Sequence, residues 1–418
     1  MTTTTTQTTT WILEPRDPLL VRDGRPFGPD PGARALSLPF PFPSTISGGI
    51  RTRAGTNGDG IFQYTPNNKE ELQHLKKLRV RGPLLAQLAP DGEIAADTWL
   101  LPAPQDALVL PSDATETGKA WIQVQRLVPL ELPPGAQTDL DQEKLLCVGL
   151  PGNKNQGKPL HNSPAYWKWE HFQTWLLDPS RLAAKDLPLS QLGLRELARE
   201  YRLHVSIDAD KEIAKDGMLF ETSGLEFTAP GTGSQRLQGA QRLALVIAVE
   251  DSGYTIQPGL ASFAGERRLV TWRKSKKELP MLPEGLEQAI VTAEHCSCRL
   301  FLLTPACFTQ GYRPTWLQAE AARKGVRVEI RAIATQRPQV VSGWDLAEGK
   351  PKPSRRLAPA GTVLFLSLTG TEAALREWIR STWMQCISDM EEDRTDGFGL
   401  AVLGMWDGRP VSMEQGEA

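Results

Sequence analysis

Long apolar runs are missing from this sequence: nowhere do about 18 apolar residues follow one another, so no stretch reads as a membrane-spanning helix. Cysteine is scarce as well. Five cysteines in 418 residues, an odd number thinly spread, do not make the disulfide framework of a secreted protein, and they point to a reducing, cytoplasmic compartment. Nor does either charge dominate. Lys and Arg number 47 against 49 Asp and Glu, a formal net charge of −2, so the overall basicity that often marks a nucleic-acid binder is absent. The threonine-rich opening, Met1 to Thr10, has neither a charged n-region nor an apolar h-region and reads as a disordered tail, not a signal peptide. Histidine is also rare. Only His74, His161, His171, His204 and His295 are on offer for acid-base chemistry.

What is present suffices for more than one core. The length predicts two domains with insertions, and 40% hydrophobic with 23% charged residues is ordinary for a globular chain. Charge is uneven along it. Residues 266–277 carry six basic groups against one acid, Lys350, Lys352, Arg355 and Arg356 form a second basic cluster, and Asp389, Glu391, Glu392 and Asp393 an acidic one. Local basic stripes of this kind neutralise phosphate even on a neutral protein, although a solvated charged face is the commoner use of either cluster alone.

Local patterning gives a mixed chain. Residues 11–22 read as a strand broken by prolines, followed by a Gly24/Pro26 turn. Ser44 stands as a helix N-cap before Thr45 to Arg53, with Gly48 and Gly49 weakening the helix. The stretch from about 55 to 190 is dense in Pro and Gly and reads as insertions; within it Trp167, Trp169 and Trp175 fall in one expected helix, on which Trp167 and Trp169 do not share a face, so that one of them is free for a partner. The second half is more regular. Strands are expected at 241–249, 299–303, 326–331, 362–368 and 400–406, with helices over 315–324 and 371–387. These alternations predict an α+β fold of two ferredoxin-like (RRM-like) domains with loop and hairpin insertions: a disordered tail over 1–10, an N-terminal domain over 11–235 and a C-terminal domain over 236–418 that ends in a glycine-rich loop.

Three features carry candidate chemistry. Gly397, Phe398 and Gly399, with Gly404 closing the segment, allow backbone N–H groups to turn toward an anion, although on spacing alone an ordinary tight turn is the commoner explanation. Ser44, Thr45, Ser47, Gly48 and Gly49 would place a helix N-terminus against phosphate, with Arg51 and Arg53 adding charge-assisted bonds. His295, Cys296, Cys298 and Cys307 suggest a metal site, but residues 298–303 read as a strand and a closed zinc site needs two separated ligand pairs, so neither metal nor cofactor is expected.

The ordered set of motifs resembles a known family. Residues 14–19 with 22–27, 43–52, 202–208 with 217–220, 263–268, 303–308 with 311–314, and 343–361 look like the third subunit of the Cmr (type III-B) CRISPR effector complex, a member of the RAMP superfamily, over nearly the whole chain. The resemblance implies two ferredoxin-like domains and a non-catalytic role in antiviral defence: holding the 5′ tag of the guide crRNA and capping the complex. Its neighbours there would be the large polymerase-like subunit and a backbone RAMP subunit. RNA-binding positions implied with the motifs are Ser44, Thr45, Ser47, Gly48, Gly49, Arg51, Arg53, His204, Arg267, Arg268, Lys352, Arg355, Gly397, Phe398, Gly399 and Gly404. Where the family leads one to expect Gly-Gly-Glu, this chain has Ala264-Gly265-Glu266, whose extra methyl limits close approach of RNA. Two other readings compete. A RAMP-type endoribonuclease would cut guide precursors with a residue such as His204, which could equally bond within the fold, and a protein-only scaffold would use tryptophans and prolines without touching RNA.

Overall fold

A computed structural model describes residues 8–22, 34–65, 67–114, 120–140, 144–152, 157–208, 210–231, 239–250, 253–293, 295–345 and 350–414. The chain is a mixed α+β protein with several antiparallel sheets and short helices. Its expected tail is shorter than the sequence suggests: Thr8–Pro15 is a strand in which Thr10 is already buried, while residues 1–7 and the turn at Gly24 and Pro26 lie outside the described residues.

The chain forms two compact units, and they interleave. One comprises residues 1–96, 196–278 and 340–355, the other 97–195, 279–339 and 356–418. A boundary near residue 235 does not separate them, because Gln241–Glu250 pairs with both Thr8–Pro15 and Val80–Leu88 inside the first unit. The segment 55–190 is likewise not a set of insertions. Val80–Leu88 is a core strand with Leu84, Leu85 and Ala86 buried, and residues 97–190 belong to the second unit.

In the first unit the strands lie in the order Val80–Leu88, Gln241–Glu250, Thr8–Pro15, Arg268–Lys274, Gly259–Phe263, all antiparallel. The unbroken apolar run Leu243 to Val249 makes sense there, since a central strand covered on both faces needs no alternation. Helix Pro43–Ala54 packs on this sheet: a Cβ on Gly49 would stand 2.5 Å from the Phe263 ring.

The second unit repeats the strand order. Arg327–Ala334, Val363–Thr369, Ser297–Leu302 and Leu400–Met405 are neighbours in that sequence, again antiparallel, with Gln385–Cys386 at the edge. Taken along the chain they alternate with helices Thr315–Arg323 and Glu372–Thr382 as strand, helix, strand, strand, helix, strand. With the edge strand Gly259–Phe263 of the first unit and Gln385–Cys386 of the second left out, the four remaining strands named in each unit stand as second, third, first, fourth. Leu300, Leu302, Leu364, Leu366, Leu403, Leu317, Leu375, Trp378 and Ile379 fill the space between this sheet and its helices. Thr371 caps the second helix by accepting the Ala374 N–H, and the helix stops at Thr382 instead of running to 387, because Trp383 turns extended and donates its indole N–H to the Pro280 carbonyl.

One buried charge organises the second unit. Arg299 has no exposure; its guanidinium meets Asp106 at 2.6 Å and donates to the Trp175 and Met405 carbonyls, while Asp106 also accepts the Trp175 indole N–H at 2.8 Å. Strand, helix and loop are thus tied by one satisfied network. The three tryptophans expected on one helix divide differently. Trp167 lies in strand Tyr166–Lys168, Trp169 opens helix Trp169–Leu177, and all three rings are buried, so none is free for a partner.

Candidate nucleic-acid interface

The helix starts one residue before the expected cap. Pro43 takes its first position, Phe42 is the cap and offers no side-chain acceptor, and Ser44 sits inside with Thr45. Ser47 is buried and donates to the Ser44 carbonyl at 3.2 Å. The two glycines divide their roles. Gly49 seats the helix on Phe263 and Trp272, whereas Gly48 faces outward with nothing within 4 Å of an added Cβ. Arg51 donates to the carbonyls of Lys76 and Leu78, and Arg53 to those of Gln257 and Pro258. Both guanidiniums act as clamps on loop backbone, a use that sequence alone does not announce.

Beside this helix lies the turn that joins Gly259–Phe263 to Arg268–Lys274. Ala264, Glu266 and Arg267 all hold positive φ, at 60°, 56° and 52°, a conformation that costs a non-glycine residue roughly 1–2 kcal/mol. The methyl of Ala264 therefore matters through backbone strain, at a position where glycine would be at ease. Gly265 is required for space: it donates to the Leu20 carbonyl at 2.9 Å, and a Cβ would stand 2.8 Å from that oxygen. Arg268 pairs with Glu266 at 3.0 Å, while Arg267 is exposed and without a side-chain partner among the described residues.

Leu19 pairs with Leu225 just as Leu20 pairs with Gly265, so residues 18–20 join this turn to the base of the long hairpin 198–226. There His204 meets the Thr222 hydroxyl at 2.9 Å and stacks on Phe220, with ring centroids 5.0 Å apart. The hairpin's alternate residues Tyr201, Leu203, Val205 and Ile207 are exposed, as is Leu219. Alternation in the sequence showed a two-faced strand, but not which face is covered. A second hairpin, Gln339–Asp345 with Lys350–Leu357, carries the basic cluster: Lys350 and Arg356 are exposed, Lys352 and Arg355 half-buried.

The C-terminal glycine segment is the main correction. It belongs to the second unit and is buried, Phe398 completely. Its N–H groups are already used: Gly397 donates to Arg394, Phe398 to Asp393, Gly399 to Pro305, and Leu400 to the Thr304 hydroxyl. Thr304 in turn donates to the Gly397 carbonyl, and Ser388 to that of Phe398. No phosphate nest is open here. Gly397 and Gly399 hold φ of 103° and 82° so that the chain can turn tightly against residues 304 and 388, and Gly404 lies within a strand where a Cβ would press on Phe301 and Leu176. An expected clamp is a packing device, because a glycine turn suits both uses and only the hydrogen-bond partners distinguish them.

None of the five cysteines forms a disulfide, and burial holds the Cys298 thiol well above the ordinary range. Among the described residues no three His, Cys, Asp or Glu side chains converge as metal ligands, and no helix is long and apolar enough to cross a membrane.

The first unit thus gathers basic residues on a strained turn and on a hairpin. A sequence model described as "CRISPR-associated protein (Cas_Cmr3)" matches residues 11–406. The chain belongs to that family, among the Cmr-type, type III-B CRISPR proteins. No curated protein matches. Among solved structures, it is similar to a chain in the cryo-EM structure of the Type III-B Cmr-beta bound to cognate target RNA and AMPPnP, at 14% identity over 85% of this chain and 86% of that one, TM-score 0.43. A second similar chain, from the Type III-B Cmr-beta bound to cognate target RNA, shows 17% identity over the same shares, TM-score 0.42.

Proposed function

We propose that this protein is the third subunit of a type III-B CRISPR effector complex, a non-catalytic RNA holder that grips the 5′ tag of the guide crRNA and caps the assembly beside the large polymerase-like subunit and a backbone RAMP subunit. Family membership over residues 11–406 supports the setting. Both units are read as ferredoxin-like, the first lacking the second helix among its described residues and the second complete; the shared strand order supports this. The observation that carries the RNA reading is the uncompensated Arg267 on a strained turn packed beside helix Pro43–Ala54, in the same unit as Lys350 and Lys352. Strain of this kind gathers at binding sites, and exposed guanidiniums hold phosphate and stack on unpaired bases.

The holding reading is favoured over nuclease chemistry by His204, whose ring is stacked on Phe220 and hydrogen-bonded to Thr222. Only its other ring nitrogen would be left to act as a base toward the 2′-hydroxyl, and the stacked ring has a place within the fold without that role. The test is filter binding of tag-bearing guide RNA to the protein and its subcomplex. Arg267→Ala and Lys352→Ala are expected to weaken binding, while His204→Ala leaves precursor RNA uncut in every case. Guide cleavage that disappears in His204→Ala would overturn the non-catalytic role.

A further inference from the structure

Helix Pro43–Ala54 has a second end, and that end presents aromatic rings. It stops at Gly55, where a Cβ would lie 2.5 Å from the Phe62 ring, 3.1 Å from Tyr64 and 3.1 Å from Leu75. Glycine here lets the two rings fold back onto the helix terminus, edge to face with centroids 5.7 Å apart. The loop that delivers them is held by its own hydrogen bonds. Asn57 donates to the Ile61 carbonyl and its side-chain oxygen accepts from Asp59 and Ile61, Gly60 donates to Asn57, Gln63 to Gly55, and Thr56 bridges Phe62. So tightly closed a loop would be expected to hide its apolar tip. Instead Ile61 is 61% and Phe62 39% exposed.

The segment that carries the corner is net basic. Residues 51–79 contain six Lys or Arg against three Asp or Glu, on a chain whose net charge is −2. Lys69, Lys77 and Arg79 are exposed, and helix Lys69–Lys76 packs next to the first helix. Apolar partners gain nothing from that charge. A polyanion with flat, unpaired rings matches both features, since bases stack on aromatic faces regardless of sequence while nearby cations track the backbone.

We propose that Phe62 and Tyr64 form a stacking platform for an unpaired base of single-stranded RNA. This rests on the RNA-holding reading above and extends it to the far end of the helix, away from Ser44. The platform acts through ring faces, so its loss leaves the phosphate contacts in place.

The experiment measures binding of a labelled single-stranded RNA, carrying the guide's repeat-derived 5′ end, to the full chain alone and in the assembled complex across a salt series. Phe62→Leu keeps an apolar side chain at an exposed position and is expected to weaken binding about 10-fold with the salt slope unchanged, and Phe62→Trp to restore it. RNA with 5-iodouridine in the tag should crosslink to Phe62 or Tyr64. If Phe62→Leu binds like the parent while Arg267→Ala and Lys352→Ala bind worse, the platform falls and the RNA-holding reading stands. If neither the parent nor any complex holds the RNA, both fall. Should Phe62→Leu leave RNA binding intact but impair assembly with partner subunits, the corner is a protein contact and the proposal is overturned.

Discussion

Gly399→Ala separates a structural glycine from an RNA-gripping one. The residue has a φ of 82°, and an added methyl would stand 2.9 Å from the Ser388 amide nitrogen and 3.0 Å from its hydroxyl. Left-handed backbone costs alanine roughly 1–2 kcal/mol, and forcing a carbon against fixed backbone adds about 1–3 kcal/mol. A loss of about 3 kcal/mol in the second unit is expected. It should be local before it is global: the methyl strains the hydrogen bonds from Gly399 to Pro305 and from Leu400 to Thr304, which anchor the start of strand Leu400–Met405. Native-state hydrogen exchange reads this directly as lost protection at residues 399–405, and denaturant unfolding reads the total. An unchanged unfolding midpoint and unchanged protection, together with lost affinity for guide RNA, would refute the reasoning and return the segment to the role of a phosphate clamp.

Asp106→Asn removes the carboxylate that compensates Arg299 in a closed interior, and a loss of about 3–5 kcal/mol is expected in chemical denaturation. Arg126 should behave oppositely. Its Nε and one terminal nitrogen are buried without a partner, and desolvation, followed by the charge of Arg299, lowers its pKa to about 10. Since the folded value lies below the ordinary guanidinium range, the charged form is the costly one, and that cost persists at neutral pH and lifts only as pH rises through about 10. Arg126→Met is therefore expected to stabilise by about 1 kcal/mol, and a clear destabilisation in the same denaturation assay would contradict this. Glu287 is held below the usual carboxylate range by hydrogen bonds from Arg380 and then Arg376. Its contribution is present above the unfolded value of 4.5 and lost as pH falls through the lowered folded value, so Glu287→Gln should flatten the acid limb of a pH–stability curve without moving the neutral plateau's slope.

Much of the second unit was legible residue by residue. Contiguous or alternating apolar runs gave its strands around 297–302, 327–334, 363–369 and 400–405, as well as the strand 241–250 of the first unit, and the spacing of Leu375, Trp378 and Ile379 gave the helix before the last strand. The interleaving of units was not legible. Val80 meets Val249 across the sheet, and nothing in local periodicity encodes a partner so far along the chain. Site residues failed for a related reason. Arg51 and Arg53 look like free phosphate ligands until the carbonyls of Lys76 and Gln257 arrive beside them from other segments. The glycines at 397 and 399 declare a left-handed turn, while its hydrogen-bond partners come from residues 304, 305, 393 and 394. The aromatic corner went unseen because Phe62 and Tyr64 are seated against Gly55 and Leu75 by the fold and not by spacing.

The central claim, that this protein holds guide RNA through exposed cations of its first unit, is tested most directly by the salt dependence of tag-bearing guide RNA binding in the parent and in Arg267→Ala. Losing one phosphate contact on a single strand should reduce the slope of log K against log salt by about 0.7 and weaken binding at low salt. Identical slopes and affinities for the two proteins, or equal affinity for a guide whose tag has been removed, would contradict it.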